Sequence, residues 1–135
     1  MLLPHGTIIA LVDGQHLELY RNTGSAAEPH LAALPAPKLD ERNHGSGGRH
    51  YSSAGNPDEH RQQEGRHAAG VAAWLNGEVL AQRIDKLVIM ADPRTLGELR
   101  RHYPVLTERA ALKDHATNLV GRPPERIPEA LREHN

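Results

Sequence analysis

Cysteine and phenylalanine are both absent from this chain, tryptophan occurs once, at Trp74, and aromatics make up only 3% of the residues. The missing cysteine excludes a disulfide framework, a thiolate nucleophile and CxxC-type zinc sites, and agrees with a reducing compartment. With so few rings, the core must rest on Leu, Val, Ile and Ala, and is expected to be thin. A dominant charge is lacking too. Sixteen Lys plus Arg against seventeen Asp plus Glu leave a net charge of -1, so no global positive field would hold nucleic acid, and any RNA contact must be local. No apolar run approaches the ~20 residues of a membrane span. Residues 1–12 carry no charged start and no long apolar run, and Asp13 and Gly14 interrupt them before a signal peptide is complete. These absences predict a cytoplasmic protein that does not engage a membrane. GxSxG, Walker A and GxGxxG patterns are missing as well, and no cofactor is expected.

The length, 135 residues, suits one domain spanning 1–135. The run Thr7, Ile8, Ile9, Ala10, Leu11, Val12 is apolar on both faces, as in a buried central strand. Asp13-Gly14 then leads to a period of two, with Leu17 and Leu19 alternating with His16, Glu18 and Tyr20; the pair predicts a hairpin closed by a type I′ turn. Asn22-Thr23-Gly24 marks a second turn, and Leu31 to Leu34 reads as a short strand confined to an edge by Pro35 and Pro37.

From 40 to 70 there is no Val, Ile, Leu, Met, Phe or Trp. The part over 40–57, with Gly45, Gly47, Gly48 and Gly55, is a mobile Gly-rich loop by composition. A helix starts near Pro57-Asp58-Glu59, and Ala68, Val71, Ala72, Leu75 and Val79 form one stripe along it, which leaves its first turns clear of the core. Leu87 to Ala91 is a fully apolar run of strand length after a helix, hence parallel and central. Asp92 and Pro93 supply an N-cap and first-turn proline for a helix whose Leu96 and Leu99 face inward. A last strand is expected over 105–112, and a short helix over 124–134 with Ile127, Ala130 and Leu131 on one face. The expected fold is therefore α/β, a mixed sheet of about five strands in the order β-hairpin, β, long loop, α, β, α, β, α.

Four groups of residues are candidates for chemistry. Gly47-Gly48-Arg49-His50 combines a backbone free to approach closely with a guanidinium suited to phosphate; the same composition also describes a plain surface loop. His44, His50, His60 and His67 match no zinc spacing and read as a solvated, pH-sensitive charge patch, so no metal is assigned. Asp13 and Asp92, each ending a strand, form an acidic pair of the kind that holds Mg²⁺ in nucleases, or else serve a turn and a helix cap. Arg94, Arg100, Arg101 and His102 make a basic patch, of which Arg94 and Arg101 are candidates to meet RNA or an acidic partner.

Ile9 to Gly14, the Gly-rich loop, and above all the block Asp85-Lys86-Leu87-Val88-Ile89-Met90-Ala91-Asp92-Pro93-Arg94-Thr95-Leu96-Gly97-Glu98-Leu99-Arg100 resemble the bacterial host-attachment protein family. That family is in turn similar to the central domain of archaeal and eukaryotic peptide release factors. In those factors a Gly-Gly-Gln loop joins a strand to a long charged helix and enters the ribosomal peptidyl transferase centre. The resemblance implies a ribosomal-protein-like α/β fold and a non-enzymatic binding or regulatory module linked to host attachment. Its partner would be the ribosome, RNA or a protein, met through Gly47, Gly48, Arg49 and His50. A hydrolase acting on RNA or peptidyl-tRNA is the alternative. Here Arg49 stands where those factors have glutamine, so the residue most closely tied to their hydrolysis is not carried over.

Overall fold

A computed structural model describes residues 3–39, 57–103 and 110–133 of the chain. The expected loop over 40–57, with Gly47, Gly48, Arg49 and His50, lies outside the described residues except for Pro57, which opens a helix. The elements are β1 (Ile8–Val12), β2 (Leu17–Asn22), β3 (Leu31–Leu34), α1 (Pro57–Leu80), β4 (Lys86–Ala91), α2 (Pro93–Arg100), β5 (Ala111–His115) and α3 (Arg126–Glu133). The five strands form one mixed sheet in the order β3-β2-β1-β4-β5. β1 pairs antiparallel with β2 and β2 with β3, while β1 with β4 and β4 with β5 are parallel. The expected α/β architecture is the one found.

β1 and the apolar run Leu87 to Ala91 of β4 lie at the centre, in register from Ile8 opposite Leu87 to Val12 opposite Ala91. A strand buried on both faces needs a cover on each. On one face Ile8, Ala10, Val12, Leu87, Ile89 and Ala91 meet Ala68, Val71, Ala72, Leu75 and Val79 of α1 and Leu96 and Leu99 of α2. On the other, Ile9, Leu11, Val88 and Met90 pack with Leu3, Leu119 and the Ile127, Ala130, Leu131 face of α3. Fully burying each Val or Leu contributes ~1.5–3 kcal/mol. Two thin layers on opposite faces therefore substitute for one thick core rich in rings.

Three expectations are corrected. The β1–β2 hairpin forms, but Val12 pairs with Leu17 and the connection runs from Asp13 to His16, closed by Asp13 N–H donating to His16 O at 3.1 Å. Gly14 is not among the glycines with positive φ, which are Gly6 and Gly121, so this is no type I′ turn. The glycine lies close to α1 instead: a Cβ there would meet Glu64 Cγ at 2.9 Å, and the flexible Glu64 side chain would have to shift. The last described strand is Ala111–His115, which runs three residues past the expected 105–112, and 105–109 of that range lie outside the described residues. As an edge strand β5 has β4 alone as neighbour, so it accommodates an exposed Lys113 and a charged Asp114, and apolar content is a poor guide to it. Finally, His67 is not a solvated member of a patch. It is buried, and its Nε2–H donates to His16 O at 3.1 Å, a tautomer fixed by the carbonyl it meets. His44, His50 and the side chain of His60 lie outside the described residues.

Candidate functional site

Parallel pairing with Val12 opposite Ala91 brings the next residues, Asp13 and Asp92, to the same end of the sheet. In open α/β sheets the ends of the strands are where ligands are received. Each acid, however, is held by its own turn. Asp13 Oδ1 accepts from Gln15 N–H at 2.9 Å, from His16 N–H at 2.6 Å and from His16 Nδ1–H at 3.0 Å. Burial by itself raises the Asp13 carboxyl, but these hydrogen bonds outweigh it and hold the group below its ordinary value. Asp92 caps α2: its φ is -60° and ψ 157°, and its Oδ2 accepts from Thr95 N–H at 3.1 Å. The acidic pair is thus a turn residue and a cap residue. Among the described residues no group of three or more His, Asp or Glu is placed to hold a metal ion.

The same end receives the start of α1, whose Glu64 lies against Gly14, and Leu39, which lines a hollow with His16 and His67. Leu39 and Pro57 are the described residues that flank the Gly-rich segment. Beside them, between α1 and α2, is a cleft of about 470 Å³ lined by Arg61, Glu64, Arg94, Thr95 and Glu98. Arg94 approaches Glu64 at 3.7 Å, an ion pair without a hydrogen bond. Glu98 pairs with Arg101 at 4.0 Å. Residues 94 and 98 of α2 and its C-cap Arg101, itself helical in backbone, are spaced i, i+4 and i+7, so they follow one face of the helix.

Of the basic patch expected from the sequence, Arg94 and Arg101 are exposed on this face. Arg100 points elsewhere, with its Nε and Nη2 donating to Asp114 Oδ2 and Oδ1 at 3.1 and 2.9 Å. Arg61, Glu64, Thr95 and Glu98 were not singled out by sequence reasoning. Their spacings, 61 with 64 and 95 with 98, are ordinary i, i+3 helix pairs, and only the packing of α1 on α2 makes them one site.

The mixed α/β sheet with a long charged helix beginning at the strand ends is the frame on which the family is recognised. Residues 6–131 match the family described as Bacterial archaeo-eukaryotic release factor family 12, and the chain belongs to that family. No curated protein and no solved structure matches it. No helix among the described residues is long and apolar enough to cross a membrane.

Proposed function

We propose that the chain is a binding module that engages the ribosome or its RNA from the end of the sheet where β1 and β4 finish, and that it acts without catalysing a reaction. The observation that carries this reading is the family match over residues 6–131, which hints at a ribosome-related role. The exposed Arg94 at this end of the molecule agrees with it, and the exposed Arg101 follows at the far end of α2. Binding is favoured over hydrolysis because Arg49 stands where the release factors that this family resembles have glutamine. Gly47, Gly48, Arg49 and His50 are proposed, from sequence, to make the first contact, with Arg94 and Arg101 as a second set of phosphate ligands. A role in attachment of bacteria to host cells would then follow indirectly, from an action on translation inside the cell.

Cosedimentation of the full chain with purified ribosomes and with RNA, at two salt concentrations, tests this. Wild type should bind both, and Arg49→Ala should weaken binding by about 1–3 kcal/mol while lowering the salt slope by about one unit. Failure of wild type to bind either overturns the reading. Equal binding by wild type and Arg49→Ala at both salts removes the loop as the reader.

A further inference from the structure

The cleft between α1 and α2 has a composition that a simple anion site does not. Among the described residues, two guanidiniums, Arg61 and Arg94, face two carboxylates, Glu64 and Glu98. An inorganic anion would satisfy the first pair and be repelled by the second. A neutral hydrogen-bonding ligand would leave Arg61, which forms no ion pair among the described residues, without a counter-charge. The lining asks for a ligand that carries an anionic acceptor and a donor hydroxyl close together.

Three further features locate the anionic part. Thr95 is only 7% exposed, yet it lines the cleft and its hydroxyl has no hydrogen-bond partner among the described residues. The hydroxyl oxygen is not among the buried unsatisfied atoms, so it is open to water from the cleft, and a ligand acceptor there would take the place of that water. Thr95 also stands in the first turn of α2, where Asp92 takes the Thr95 N–H and Pro93 has none to offer. The Arg94 N–H therefore remains an open donor at the positive end of the helix dipole. The Arg94 guanidinium, 58% exposed and 3.7 Å from Glu64, is held loosely enough to turn toward a ligand. Arg61 forms no ion pair among the described residues.

We infer that this cleft is a subsite for one ribose-phosphate unit of single-stranded RNA. A phosphodiester would accept from Thr95 Oγ, from the Arg94 amide and from the guanidiniums of Arg94 and Arg61. The adjoining ribose 2′-hydroxyl would donate to Glu64 or Glu98. The inference rests on the ribosome and RNA reading above and sharpens it: the two carboxylates select RNA over DNA, because only RNA brings the extra donor. The volume, about 470 Å³, falls within the ~300–1,000 Å³ of small-ligand sites.

The test is direct binding of a single-stranded RNA and of the DNA of the same sequence to the full chain. Wild type should prefer RNA. Arg94→Gln and Thr95→Val should each weaken RNA binding about tenfold through loss of one charge-assisted contact. Circular dichroism checks that both variants fold, and Arg94→Gln, on an exposed side chain, keeps the test decisive if Thr95→Val does not. Glu64→Gln and Glu98→Gln, separately or together, should narrow the preference for RNA while keeping or raising affinity for DNA. If RNA binds but neither Arg94→Gln nor Thr95→Val weakens it, the subsite is overturned and the broader reading stands. If both variants weaken binding but RNA and DNA bind alike, a phosphate site remains and the ribose assignment is overturned. If the chain binds neither ribosomes nor RNA, both readings fall together.

Discussion

The two ends of α2 carry arginines of opposite kinds. At the carboxyl end Arg100 reaches across to β5 and closes a two-pronged bridge on Asp114, with N–O distances of 3.1 and 2.9 Å. Tyr103, just beyond, is buried with Leu99 in the larger apolar layer. At the amino end Arg94 has a single 3.7 Å approach to Glu64 and opens onto a cleft. One helix of eight residues thus has a closed end that fastens it to the sheet and an open end that presents groups to solvent. The difference lies in what each arginine meets. A carboxylate aligned with the guanidinium fork uses up its donors, whereas an offset one leaves most of them unused.

The comparison predicts that damage at the closed end is read in stability. Leu99→Ala should cause the largest loss, about 2–5 kcal/mol, because Leu99 is fully buried between α2 and the sheet and a cavity would remain. Urea denaturation measures it; a cost below about 1 kcal/mol would mean that the closed end is not closed. The next effect appears in alkali. Burial, and then the negative charge of Asp114, hold the Tyr103 phenol above its ordinary value. A folded value above the unfolded one makes its contribution complete below about pH 10 and lost as pH rises beyond that. Among the three tyrosines, absorbance titration should show Tyr103 ionising last, together with unfolding. Ionisation of all three near pH 10 with the fold intact would contradict its burial.

At the open end one residue alone should matter to folding. Asp92 accepts the Thr95 N–H as the cap of α2, and Asp92→Ala should cost about 0.5–2 kcal/mol. Asp92→Asn or Asp92→Ser should recover most of that, since each retains an acceptor. A metal-binding role for Asp92 would instead show as a gain of stability with added Mg²⁺ that the Asn variant loses.

How far this arrangement was legible beforehand differs between its parts. β1 and β4 were readable because a strand buried on both faces needs unbroken apolar residues. The α1 stripe was readable because Ala68, Val71, Ala72, Leu75 and Val79 keep helical period through a polar segment. β5 was misplaced, since an edge strand with Lys113 and Asp114 carries little of that signal. Gly14 was read as a type I′ turn residue, a local preference that its backbone does not show, whereas its close approach to the Glu64 side chain involves a residue far away in sequence. The cleft follows the same division. Arg94 and Arg101 stood out as a charge cluster. Thr95 and Glu64 did not, because a mostly buried threonine lining a cleft and a carboxylate across a helix interface are products of packing. The solvated reading of His67 failed likewise, for the carbonyl that receives it belongs to His16 on a distant turn.

The smallest expected effect is also the sharpest test of the comparison, and it uses the same substitution at both ends. Arg100→Gln removes the two-pronged bridge to Asp114. The arginine is more than half exposed, so solvent screens most of the interaction and the melting temperature should fall only slightly, with the difference shrinking in high salt. Arg94→Gln breaks a pair longer than a hydrogen bond and should leave the melting temperature unchanged at any salt. In RNA or ribosome binding the order should reverse, with Arg94→Gln weakened and Arg100→Gln close to wild type. Thermal melts and cosedimentation on the same preparations give both readings. Equal melting shifts for the two variants would show that Arg94 also fastens α2 to α1. Equal binding losses would show that partner contact extends over the whole helix, and the division into an open and a closed end would then be wrong.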